Sequence, residues 1–106
     1  MPNIKYNYYL LIKITNTING HYFIGAHATN EPRDDYFGSG IRLKKAIQKF
    51  GKVNFTKEII ETCDSMQEML MTEVALIDKI FISRLDTYND KLPRPNKTRY
   101  LRYSEL

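Results

Sequence analysis

Glu73 is the residue that fits its surroundings least well. It lies three residues after Leu70, four after Met69 and four before Ile77, so helical spacing puts a carboxylate into a stripe that should otherwise be apolar. An ionised group there is costly unless it is hydrogen-bonded, ion-paired or bound to a metal. Two arrangements meet that condition. One is a stripe-edge glutamate paired with Lys79 or an arginine of the C-terminal tail. The other is an oxygen ligand for Mg2+, a hard cation often held by one or two carboxylates plus phosphate oxygens. The two histidines, His21 and His27, bracket Tyr22, Phe23 and Gly25, a stretch that reads either as sheet core or as the wall of an active site. Cys63 is the sole cysteine, so no intrachain disulfide can form, and no clustered Cys/His spacing suggests zinc. It reads as a small buried hydrophobe.

The net charge of +4 is unevenly spread. Residues 1–60 carry nine Lys/Arg against four Asp/Glu, residues 61–90 two against seven, and residues 91–106 five against one. A basic front part and a basic tail suit a polyanion, because cations that neutralise phosphates release condensed counterions. Charge alone is equally compatible with a solvated surface and an acidic helix. No apolar run is long enough to span a bilayer, and the N-terminus lacks the apolar core of a secretory signal. The expectation is a soluble, cytoplasmic protein with no membrane partner.

The elements that must position these groups follow from spacing. With 106 residues, 42% of them apolar, one compact core is expected. Residues 7–14 are aromatic and β-branched and read as a strand. Asn19-Gly20 offers the positive backbone dihedrals of a tight hairpin turn, so residues 21–26 should return antiparallel. Residues 28–40 form a long polar loop broken by Pro32, Gly38 and Gly40, and loops of that length are often functional. Leu43, Ala46, Ile47 and Phe50 recur at helical spacing, with Arg42, Lys44, Lys45 and Lys49 on the other face and Gly51 as the stop. Residues 55–62 read as a third strand. Ser65 and Glu68 form a capping box that opens a helix running to about Ser83, with Met66, Met69, Leu70, Val74, Ile77, Ile80 and Phe81 buried. The fold class is α+β: a small three-stranded antiparallel or mixed sheet with flanking helices. Residues 1–90 make the domain, and residues 91–106 a basic, extended arm.

Taken in order, several segments resemble the GIY-YIG nuclease family. Residues 14–25, with Asn19-Gly20 and Tyr22-Phe23-Ile24-Gly25, are similar to its first hairpin. Leu43 to Gly51 followed by Asn54-Phe55 resembles its helix, glycine stop and third strand. Glu68 to Ile77 resembles the helix bearing the metal-binding glutamate, and Thr87-Tyr88-Asn89 the segment that ends the domain. His27, Asp34-Asp35 and Tyr36-Phe37-Gly38-Ser39-Gly40 are especially like a phage-type branch related to homing endonucleases. The resemblance implies that Glu73 is the metal ligand and Asn89 the late asparagine of the site. Ile12 and Phe23 stand where both signature tyrosines belong, and neither has a hydroxyl with which to relay a proton.

The resemblance further implies an arginine near the scissile phosphate, where it would stabilise the charge of the transition state. Arg33 keeps the family spacing after Gly25, whereas Arg42 sits on a helix, which places a side chain more reproducibly than a loop. His27 could replace the missing hydroxyl as general base or make a structural hydrogen bond. Tyr36 could supply a hydroxyl or anchor the loop. Together these features lead to the expectation of an Mg2+- or Mn2+-dependent DNA endonuclease. Lys44, Lys45, Lys49, Lys52, Arg94, Lys97 and Arg99 would grip the backbone of double- or single-stranded DNA. The other expectation is a nuclease fold without catalysis that binds nucleic acid or a protein partner, as monomer or dimer.

Overall fold

A computed structural model describes residues 5–93. Arg94, Lys97 and Arg99, and almost all of the expected arm, lie outside the described residues. Strands β1 (Tyr8–Asn16), β2 (Tyr22–Thr29) and β3 (Phe55–Cys63) form one sheet in the order β2-β1-β3. Both pairings are antiparallel. Helix α1 (Ile41–Phe50) covers one face and α2 (Met66–Leu76) the other.

The central strand explains itself by this layering. Leu10, Ile12 and Ile14 pack with Phe23, Leu43, Ala46 and Phe55 on the α1 face. Leu11 packs with Cys63, Met69 and Leu70 on the α2 face. A strand buried on both sides has no reason to alternate, hence the unbroken run Leu10-Leu11-Ile12. Full burial of each such side chain contributes about 1.5–3 kcal/mol. On β3 the adjacent apolar pair Ile59-Ile60 has a different cause. Leu11 pairs with Glu61 and Ile12 with Ile59, so Ile60 is the extra residue of a bulge.

The hairpin differs in detail from a two-residue turn. Asn16 N–H donates to the His21 carbonyl at 2.8 Å, leaving residues 17–20 as a four-residue loop. Only Gly20 takes a positive φ, at 78°, and Asn19 does not. The buried Asn16 side chain closes the loop by accepting from Ile18 N–H at 2.9 Å while donating to the Tyr88 hydroxyl at 3.1 Å. Gly51 caps α1 as expected, its N–H reaching the Ile47 carbonyl at 2.8 Å.

The acidic helix is shorter than its periodicity suggests. Ser65 Oγ accepts from Glu68 N–H at 3.1 Å, and the Glu68 carboxylate reaches back to Asp64 N–H at 2.8 Å, one residue earlier than in a standard capping box. The helix then ends at Leu76. Asp78 captures Phe81 N–H at 2.9 Å and starts a separate single turn, α3 (Lys79–Ile82). A short acidic side chain that competes for backbone donors favours a cap over helix continuation. Met69, Leu70 and Ile77 are buried as expected, but Ile80 is 76% exposed, because the break turns α3 out of the stripe. No described helix is long and apolar enough to cross a membrane.

Candidate active site

β2 is an edge strand, and its outward backbone groups need partners. Tyr22 N–H donates to the Asp86 carbonyl at 3.0 Å, and Tyr88 N–H returns to the Tyr22 carbonyl at 2.7 Å. Two residues on, the Asn89 side chain takes over. Its Oδ1 accepts from Ile24 N–H at 2.9 Å and its Nδ2 donates to the Ile24 carbonyl at 2.7 Å. Thr87 Oγ1 donates to the same Oδ1 at 3.0 Å. Two residues further, Glu73 Oε2 accepts from Ala26 N–H at 3.3 Å. The edge is therefore satisfied in succession by a backbone segment, an amide and a carboxylate.

Arg42 joins this arrangement from α1. Its Nη1 donates to the Asn89 carbonyl at 3.3 Å, and its N–H donates to Asp90 Oδ2 at 3.3 Å, so Asp90 caps α1 from across the chain. Glu73, Asn89 and Asp90 line one recess with Phe23, Ser39 and Gly40, about 300 Å³ in volume. Of the residues expected at the site, Glu73 and Asn89 share the recess, and Arg42, which does not line it, reaches the Asn89 carbonyl from α1. Arg33 is exposed on the loop, its N–H bound to Glu31 Oε2 at 3.1 Å, and does not line the recess.

Ile12 and Phe23 are buried in the core on the α1 face. Phe23 folds over Gly25, where a Cβ would stand 2.7 Å from Cε2 of the ring. The glycine is thus required by the aromatic two residues before it.

His27 belongs to a second cluster on the α1 face. Its ring stacks on Tyr36 with centroids 4.0 Å apart and 13° between planes, and its Nε2 lies 2.7 Å from Asp34 Oδ2. Thr29 Oγ1 donates to the same oxygen at 2.8 Å. Lys57 Nζ lies 2.8 Å from Asp34 Oδ1, and that oxygen also accepts from Tyr36 N–H at 3.2 Å. Burial by itself would raise the Asp34 carboxyl. The hydrogen bonds from Lys57, His27, Thr29 and Tyr36 outweigh it and hold the group well below the usual carboxylate range. An ionised carboxylate only accepts, so the proton of a neutral His27 ring resides on Nε2 and Nδ1 keeps the lone pair. Tyr36 thus contributes its ring to the His27 stack and its backbone N–H to Asp34.

Lys44, Lys45 and Lys49 stand exposed on α1. Lys52 lies over the Phe37 ring at 4.7 Å, and Lys49 over Phe50 at 5.3 Å. Among the described residues no group of three or more His, Cys, Asp and Glu is placed to hold a metal ion. A single carboxylate at Glu73 fits the donor requirement of Mg2+, which takes its remaining ligands from water and phosphate oxygens.

Lys57, Thr29, Thr87 and Asp90 escape a reading of the sequence. Lys57 had a signal: alternation along Phe55, Lys57 and Ile59 puts a lysine on the inward face, where only an anion could make it tolerable. Asp90 had none, because its role is to cap a helix 48 residues earlier.

Comparison with known proteins identifies relatives in phage T4. The chain is 49% identical over 81 residues to the protein named "Putative endonuclease segD", covering 76% of this chain and 36% of that one. It is 45% identical over 85 residues to "Putative endonuclease segB", covering 80% and 38% respectively. It is 34% identical over 88 residues to "Endonuclease segA", covering 83% and 39%. The chain spans less than half the length of these relatives. No protein-family model and no solved structure matches it.

Proposed function

We propose that the chain is the nuclease domain of a phage DNA endonuclease of the GIY-YIG type, active with Mg2+ or Mn2+ inside the host cell. The observation that carries this reading is that Glu73 and Asn89 stand side by side on the outer edge of β2 and that Arg42 reaches the Asn89 carbonyl. The kinship with proteins named as phage T4 endonucleases supports it.

Arg42 offers a fixed positive charge to a phosphoryl group, where added negative charge in the transition state is stabilised. Asn89 positions rather than reacts, since both ends of its amide are engaged with Ile24. Asp34 sets the His27 tautomer, leaving Nδ1 to take a proton from water. Glu73 would hold the metal ion, which when bound neutralises phosphate charge and acidifies bound water. The exposed lysines of α1 would contact the backbone without reading bases.

Incubation of supercoiled plasmid with the protein in Mg2+ or Mn2+ tests the reading, with Glu73→Gln as the variant, because its amide oxygen still accepts from Ala26 N–H. Nicking by the native protein should vanish in Glu73→Gln with no change in thermal unfolding. Cleavage that survives the substitution would remove Glu73 from the metal site.

A second reading, a fold of this type that binds without cutting, is favoured by the absence of a hydroxyl at either signature position, where Ile12 and Phe23 are packed in the core. It predicts salt-sensitive DNA binding with no cleavage in either metal. Absence of DNA binding at low salt would point to a protein partner instead.

A further inference from the structure

A second cleft, about 510 Å³ in volume, is lined by the end of α3 and the chain after it, by Thr87 and Tyr88, and by α1; it shares no lining residue with the recess that holds Glu73. The cleft's lining includes two cations, Arg42 and Lys45, three apart on α1, and His21. None of the ion pairs among the described residues involves Arg42 or Lys45. Arg84, also in the lining, is committed to Asp86 through two contacts of 2.8 Å. The lining also includes the apolar Ile82 and Leu85, and the Tyr88 ring lies 5.9 Å from His21. Leu85 is 94% exposed, and no packing among the described residues accounts for an apolar side chain there.

We propose that this cleft is a subsite for one unpaired nucleotide of a nucleic-acid strand, its phosphate on Arg42 and Lys45 and its base against Leu85 and Tyr88. A purely electrostatic surface for duplex backbone needs no apolar wall. A strand with an unstacked base does, since the base must cover its faces on something, and every base has a face to offer. The volume lies within the range that accepts a small ligand. Arg42 also binds the carbonyl of Asn89, whose residue lines the recess that holds Glu73, so one hydrogen bond links the cleft to that recess. The inference rests on the nucleic-acid part of the proposed function but not on cleavage.

Fluorescence anisotropy separates the two. The full chain, in EDTA and at low salt, is titrated against a labelled oligothymidylate of about ten nucleotides and against a duplex of equal length. Leu85→Ser should weaken single-strand binding about fivefold and leave duplex binding unchanged, consistent with loss of part of a base contact. Lys45→Glu should weaken both, and Lys5→Ala neither. Leu85→Ser that leaves single-strand affinity intact would overturn the subsite, as would equal losses for single strand and duplex. Because Leu85 is almost wholly exposed, a folding defect is not expected, and circular dichroism checks this. Single-strand binding that responds to Leu85→Ser in a protein that cuts no DNA would retain the subsite and refute the nuclease. Metal-dependent nicking with no response to Leu85→Ser would do the reverse.

Discussion

Replacing Asp34 by Asn tests the cluster that orients His27. Asp34 faces donors on both sides: His27 Nε2 and Thr29 Oγ1 on Oδ2, Lys57 Nζ and Tyr36 N–H on Oδ1. An amide has one acceptor end, so whichever way it turns, an NH2 group meets donors. The Lys57 side chain is only 10% exposed, and the substitution leaves its ammonium without a counter-charge. Hydrogen bonds to charged groups contribute about 1.5–3 kcal/mol each, and two such bonds are weakened. Asp34 is itself 25% exposed, so water replaces part of the loss, and a destabilisation of about 3 kcal/mol is expected. For a domain of this size that lowers Tm by about 15 °C.

Urea unfolding at pH 7 measures the difference, and repeating it in acid tests its origin. The carboxyl is held below its unfolded value, so its stabilisation is complete above the unfolded pKa of about 3.9 and is lost as pH falls through the folded pKa. The gap between native protein and Asp34→Asn should therefore stay constant with respect to this group above about pH 5 and narrow below about pH 4. A gap under about 0.5 kcal/mol at pH 7 would refute the reasoning, since surface substitutions away from special features fall within that range. A gap unchanged by acid would refute the assignment to ionised Asp34.

Asn89→Ala should cost about 2 kcal/mol, because Ile24 loses partners for both its N–H and its carbonyl at the sheet edge; hydrogen exchange at the Ile24 amide should accelerate in step. Gly25→Ala should lower stability by about 2 kcal/mol through the clash with Phe23, and Phe23→Leu in the same chain should recover part of the loss in urea midpoint. Burial pushes the Cys63 thiol up, against a weak bond to Thr72, so it should resist a thiol reagent in the folded protein and react once urea unfolds it.

Local chemistry was legible along the chain. The strand runs, the turn glycine, Gly51 after α1 and the Ser65 cap depend on neighbours within about four residues, and each shows in the order of residue types. Glu73 announced itself as well, as a carboxylate where periodicity calls for an apolar side chain. Even local rules compete, however: Asp78 as a cap won against the apolar period through Phe81, and the expected helix divided in two.

What only the tertiary structure decided is who partners whom. Asn89 reaches Ile24 across 65 positions, Asp90 reaches Arg42 across 48, and Lys57 reaches Asp34 across 23. None of these pairs has a periodicity or a local motif, because each arises only after an edge strand, a helix end and a loop have been folded against one another. The sequence alone determined that a carboxylate, an amide and an arginine were present and on which elements they stood. The meeting of the carboxylate and the amide along the edge of β2, with the arginine on the amide residue's carbonyl, follows from the need of buried or edge backbone groups for partners, a condition that exists only in the folded chain.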